Sequence, residues 1–143
     1  MQKFTFFVAF IFSSLCFAQD VKSPEEFLGY TVGTQFSRHA DVVAYFEHVA
    51  QNSDWVTSKE YGRTNERRPL TYAIVTSPQN QANIESIRTD HLKNTGIQEG
   101  TANPDKAIVW LSYNVHGNEA SSTEASMLTL YELITEKKDW LEN

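Results

Sequence analysis

Ala107-Ile108-Val109-Trp110-Leu111-Ser112-Tyr113-Asn114-Val115 runs without a break into His116-Gly117-Asn118-Glu119. A nearly continuous apolar run of this length is what a strand covered on both faces needs, and it predicts a strand at the centre of a sheet. Downstream, Ser121-Ser122-Thr123-Glu124 has the form of a capping box, and Met127, Leu130, Tyr131 and Ile134 recur on one helical face. A long helix is therefore expected directly after the strand. Open α/β sheets collect their functional groups where a strand ends and the next helix begins, so residues 116–119 become the candidate site.

Moving upstream, Val42, Tyr45, Phe46 and Val49 fall at helical spacing between Ala40 and Gln51, with Glu47 and a solvent-facing His48 between them. Asn52-Ser53-Asp54 ends this helix. Two runs rich in Val, Thr, Tyr and Ile, Trp55 to Tyr61 and Pro69 to Thr76, flank a polar turn and predict an antiparallel hairpin. Ser77-Pro78 stops the second strand, and Ile84, Ile87, His91 and Leu92 predict another helix before an exposed loop from Gly96 to Asp105. Val21 to Arg38 carries Ser23-Pro24, Gly29 and Gly33 with no sustained period, as expected of a lead-in segment. There is no internal repeat and no low-complexity tract. The order helix, hairpin, helix, strand, helix favours an α/β sandwich with a mixed sheet over an all-α or all-β fold.

The 143 residues are 41% hydrophobic and 21% charged with a single cysteine, which excludes disorder, a collagen-like chain and a disulfide scaffold. Twelve Lys and Arg stand against 18 Asp and Glu, a net charge of −6, and no basic cluster exceeds Arg67-Arg68 or Lys137-Lys138. Nucleic acid is not an expected partner. At the amino terminus, Lys3 precedes an apolar run from Phe4 to Phe12, and Cys16-Phe17-Ala18 ends it in a small residue. Residues 1–18 have the form of a secretory signal peptide, too short in its apolar part to span a bilayer as a helix. Cleavage after Ala18 removes Cys16, so the mature chain is expected to be secreted or periplasmic, free of disulfides and not stably inserted in a membrane. The expected organisation is 1–18 signal peptide, 19–39 lead-in segment and 40–143 the main folded unit.

At the candidate site, His116 and Glu119 are close enough in a tight turn to aim an imidazole and a carboxylate at one point, with Gly117 keeping a side chain out of the way. A nitrogen and an oxygen donor suit zinc. A hydrolytic zinc site uses three protein ligands and one open position, at which bound water becomes hydroxide near neutral pH. Taken alone, His-x-x-Glu equally describes a surface ion pair or a helix cap, and only its surroundings discriminate.

Those surroundings supply a resemblance. Tyr61-Gly62-Arg63-Thr64-Asn65-Glu66-Arg67-Arg68-Pro69-Leu70 resembles the first hairpin of zinc carboxypeptidases of the carboxypeptidase A type, which typically carry Gly-x-Ser/Thr-x-Glu-Gly-Arg there. The same family later has a buried strand ending in His-x-x-Glu, similar to Val109 to Glu119. Gly29 to Ile87, with Arg38-His39-Ala40-Asp41 and Thr76-Ser77-Pro78-Gln79-Asn80, is similar to a large secreted bacterial branch of that family. The resemblance implies the N-terminal part of a mixed-sheet α/β/α zinc carboxypeptidase-like fold, a Zn2+ cofactor, His116 and Glu119 as two metal ligands, and peptide or protein substrates. It also implies a third ligand, another His, and a catalytic Glu acting as general base, both farther downstream than this sequence reaches. The expectation is therefore a fragment of a metallocarboxypeptidase, with no catalytic base in this chain and no hydrolysis by these 143 residues alone.

Two positions depart from the family pattern. Arg67 stands where the hairpin commonly has Gly, which would supply a positive φ. Asn118 stands where digestive-type enzymes often have an Arg between the ligands; it is a candidate substrate-binding residue, and equally a turn-forming Asn before a helix. His-Gly-Asn-Glu also occurs in related zinc-dependent deacylases of N-acylated amino acids, which generally lack the Gly62 to Arg68 hairpin and a signal peptide. A non-catalytic binding protein that kept part of the peptidase fold is the other alternative. His39, His48 and His91 lie near or within predicted helices, where packing or surface roles explain them without a metal. Glu124 is expected to cap its helix or favour the helix dipole.

Overall fold

Val-, Thr- and Tyr-bearing runs on either side of a polar turn pair as their composition demands. The computed structural model describes residues 20–142, so the expected signal peptide at 1–18 lies outside the described residues. Strand β1 (Val56–Arg63) and strand β2 (Pro69–Val75) are antiparallel, from Val56 opposite Val75 at the open end to Arg63 opposite Pro69 beside the turn. The register shifts between Glu60 and Gly62, which makes Tyr61 the extra residue of a bulge. At the tip, the Thr64 N–H donates to Arg68 O at 2.9 Å and the Arg67 N–H to Thr64 O at 2.8 Å. Arg67 sits at φ 64°, the left-handed conformation for which a glycine was the expected residue.

Helix α1 (Pro24–Leu28) forms inside the lead-in segment, where no period announced it. Ser23 and Glu26 make a capping box, Pro24 occupies the first turn and Gly29 closes the helix in the left-handed region. Helix α2 (His39–Asn52) follows the predicted apolar spacing. After the hairpin come a short helix α3 (Pro78–Ala82), capped by Ser77, and helix α4 (Ile84–Asn94). Helix α5 (Ser121–Thr135) and a 3-10 turn (Lys138–Leu141) complete the described elements.

The core lies between α2, α5 and one face of the hairpin. Tyr45 and Val49 from α2, Val56 from β1, and Met127, Leu130 and Ile134 from α5 are buried together, with Ala73 and Val75 of β2 packed against them. Each set shares one face because its spacing matches the period of its element. The Phe27 ring of α1 meets Tyr45 edge-on at 5.3 Å, and the Tyr45 hydroxyl donates to Lys22 O at 3.1 Å. Burial holds that phenol protonated well above its ordinary range. Gln81 closes the open end of the hairpin: its side-chain amide donates to Trp55 O at 3.2 Å and Ile74 O at 3.0 Å, and its oxygen accepts from the Thr57 hydroxyl at 3.1 Å. The Leu141 carbonyl accepts from the Ser77 N–H and the Thr76 hydroxyl, both at 3.1 Å, tying the chain's last turn to the end of β2.

The structure is mixed α/β, consistent with part of a carboxypeptidase-like fold, but the expected central strand does not form. Residues 107–115 have no ladder partner, and the sheet among the described residues is the two-stranded hairpin alone. Trp110 is 80% and Val109 77% exposed, and Ile108, Leu111 and Val115 are exposed as well. A strand is defined by the neighbour that takes its N–H and C=O groups, and an apolar run supplies only half of that requirement. The hairpin ladder joins β1 to β2 only and does not extend to the run.

Two outcomes follow from these features. Replacing Arg67 by Gly relieves about 1–2 kcal/mol of left-handed strain against about 0.5–1 kcal/mol of added unfolded-state freedom. The net gain of about 0–1.5 kcal/mol should raise the melting temperature by up to several degrees; a lower one would contradict the strain assignment. The purified chain should self-associate through the exposed apolar run, seen as a concentration-dependent rise in light scattering, and V109K with L111K should suppress it.

Candidate metal-binding turn

Asn114 turns the chain at the end of the apolar run. It adopts φ 58°, which Asn tolerates better than most residues, and its side-chain oxygen is 3.1 Å from the hydroxyls of both Ser122 and Thr123. Residues 116–119 then form a turn closed by the Glu119 N–H donating to His116 O at 2.9 Å. The Glu119 carbonyl in turn accepts from the Ser122 side chain at 3.1 Å. The candidate residues are thus fastened to the first turn of α5 rather than to a sheet.

Within the turn, His116 Nδ1 and Glu119 Oε2 converge to 3.1 Å, with the two side chains 69% and 65% exposed. Two atoms bound to one tetrahedral zinc at bond lengths near 2.0–2.2 Å stand about 3.3–3.6 Å apart, so the pair would need to open only by a few tenths of an ångström to share the ion. The present distance serves a hydrogen bond, which is how the pair is joined here. Among the described residues there is no group of three or more His, Cys, Asp or Glu able to surround a metal. The donor set therefore fits two positions of a zinc site and leaves the others to groups elsewhere. Gly117 is not required for clearance, since a Cβ added there meets nothing within 4 Å. Asn118 is exposed between the two donors in sequence.

The other histidines are engaged away from this turn. His48 is half-buried, not solvent-facing: its Nε2 accepts from the Lys22 N–H at 3.1 Å, its Nδ1 lies 3.2 Å from the Asn52 amide, and its ring packs 5.2 Å from that of Phe27. Desolvation, with a smaller contribution from the Lys22 charge, pushes its pKa below the usual imidazole value. His91 Nε2 donates to Lys106 O at 2.7 Å, and His39 opens α2 at the surface. A cavity of about 230 Å³ lined by Asn80, Asn83, Asp90 and Lys106, among others, includes no residue of the turn.

Glu124 lies in the first turn of α5, where a carboxylate favours the helix dipole, but it does not cap the helix. Helix α5 begins at Ser121 after Ala120, with no side-chain cap, so the anticipated capping box does not form. The carboxylate is buried, only 6% exposed, and accepts from the Gly33 N–H at 2.6 Å and the Ser37 hydroxyl at 2.7 Å. Sequence spacing offered no sign of this contact, because its two sides lie 91 and 87 residues apart.

A family model described as zinc carboxypeptidase matches residues 42–142. That span covers the core helices, the hairpin and the His116–Glu119 turn, well over half of the chain. The chain belongs to the zinc carboxypeptidase family. Comparison with curated proteins and with solved structures gives no match.

The lowered His48 pKa has a definite sign in stability. Protonation is favoured in the unfolded chain, so the contribution is fully present above pH 6.5, the ordinary imidazole value, and is lost as pH falls through the depressed folded value. Urea unfolding at pH 7.5 and pH 5 should show a smaller acid-induced loss in H48Q than in the parent; an equal loss would exclude His48 as a contributor.

Proposed function

We propose that His116 and Glu119 are two protein ligands of the zinc ion that this family uses, in a peptidase cleaving peptide or protein substrates at their carboxyl end. Family membership supports a zinc carboxypeptidase-type hydrolase; the observation that supports these two residues is the convergence of Nδ1 and Oε2 to 3.1 Å on an exposed turn. A zinc ion held there polarises a carbonyl and lowers the pKa of bound water to near 7. His116 must be neutral to offer its ring nitrogen, and Glu119 ionised to offer its carboxylate. Without metal, the Nδ1–H donates to Glu119 Oε2 and turns both side chains toward the same point; zinc would take the place of that proton.

Asn118, exposed between the ligands, offers an amide able to donate to a substrate carbonyl. Among the described residues no further His, Cys, Asp or Glu joins the pair to complete a three-ligand site. With only two protein ligands, zinc binding by this chain alone is weak and hydrolysis is absent. Export, proposed from the signal-like residues 1–18, places the enzyme in the secreted or periplasmic fraction. An N-acyl amino acid deacylase is the second reading, favoured by His-Gly-Asn-Glu at 116–119; the Gly62 to Arg68 hairpin favours the peptidase.

The test uses the full-length gene product that carries this chain. H116A should abolish both bound zinc, measured by atomic absorption, and release of C-terminal amino acids from blocked peptides. Retained zinc and activity would remove His116 from the ligand set. Preferential hydrolysis of N-acetyl amino acids over peptides would transfer the assignment to the deacylase.

A further inference from the structure

The Glu124 carboxylate is the only buried acidic side chain among the described residues, and both of its donors come from the lead-in segment. Ser37 has a single hydroxyl proton, which it gives to Glu124 Oε1. The Tyr30 hydroxyl, 2.6 Å from Ser37 Oγ, must then be the donor in their mutual bond. A relay thus runs from Tyr30 through Ser37 to Glu124, while Gly33, at φ 86°, presents its N–H to the other oxygen at 2.6 Å. Bonds to an ionised carboxylate are among the stronger hydrogen bonds a protein makes. The loop itself is braced, with the Val32 N–H donating to Glu25 Oε1 at 3.1 Å and the Thr34 hydroxyl to Thr31 O at 2.6 Å.

On the other side of Glu124, the immediately preceding residues Ser122 and Thr123 carry the hydroxyls that hold Asn114 Oδ1, and Ser122 also holds the Glu119 carbonyl. An unbroken path of bonds therefore links loop 30–37 to both ends of the candidate metal turn through one helical turn. We propose that Glu124 is a positioning residue: it clamps loop 30–37 onto the start of α5 and so fixes the orientation of His116 and Glu119. The inference rests on the reading of those two residues as ligands only for its consequence in metal affinity. The mechanical coupling stands apart from it. The opposing picture is that Met127 and its core neighbours fix α5 unaided and the loop is a passenger.

The test is made on the 143-residue chain by NMR, first without metal and then with Zn2+ alone as the probe. S37A breaks the relay more than 75 residues away in sequence from the turn, and S37T, which keeps the hydroxyl, serves as its rescue. S37A should move the amide signals of Gly117, Asn118 and Glu119 and the His116 ring signals, S37T should return them, and the Val56 and Val75 amides should stay in place. E124Q should shift the same signals, and Y30F should do so by less. Movement confined to residues 30–38 and the first turn of α5, with 116–119 unchanged in all variants, would overturn the clamp. Should S37A fail to fold, Y30F and E124Q carry the same decision.

The zinc titration separates the two claims. Perturbation of the parent His116 ring by Zn2+ with a dissociation constant raised about threefold to tenfold in S37A supports the clamp's effect on the site. An unchanged constant in S37A would overturn that effect. No response of His116 in the parent, even at Zn2+ concentrations high enough to fill a weak two-ligand site, would sink the ligand reading, and the metal-free signals would still decide the clamp.

Discussion

Everything described here depends on the packing of α2 against α5. Tyr45 and Val49 meet Met127, Leu130 and Ile134, and Val56 brings the hairpin to the same cluster. Burying each such side chain contributes about 1.5–3 kcal/mol, and no disulfide or extended sheet is present among the described residues to share the task. Because α5 is anchored by this contact, its first turn becomes the fixed point from which the candidate metal turn is hung. Asn114, Ser122 and Thr123 join the two with side-chain hydrogen bonds.

This arrangement explains how the candidate turn is held without the strand expected to carry it. In an open sheet, ladder bonds orient the residues at a strand's end. Here residues 107–115 lack a ladder, and orientation comes from the helix side alone. The two side chains consequently lie exposed and close enough to hydrogen-bond one another. That hydrogen bond and the proposed shared service to a metal are alternative uses of one geometry.

Much of the fold was legible because periodicity and turn chemistry act locally. The spacing of Val42, Tyr45, Phe46 and Val49 gave α2, the flanking Val- and Thr-rich runs gave the hairpin, and Met127 to Ile134 gave the buried face of α5. Arg67 in a glycine's place suggested a different turn, yet the chain keeps the positive φ there. The His116–Glu119 pair was legible as well, since three residues in a tight turn are bound to meet. What escaped were contacts made across long separations. Ser121 to Glu124 satisfied a local rule, yet the carboxylate found two better donors in loop 30–37 and left the cap unmade. His48 sat at a polar position of its helix, yet Phe27 and Lys22 came from another segment to cover it.

By itself, then, the sequence determined which segments become helices, where the hairpin turns and which two side chains converge at 116–119, all consequences of steric and hydrogen-bonding preferences within a few residues. Only the tertiary structure decided that the apolar run 107–115 finds no ladder partner among the described residues and that Glu124 reaches to Gly33 and Ser37. The physical reason is the same for both. A strand and a buried carboxylate are each completed by a partner, and the partner's position is set by how distant parts of the chain pack, not by the residues that await it.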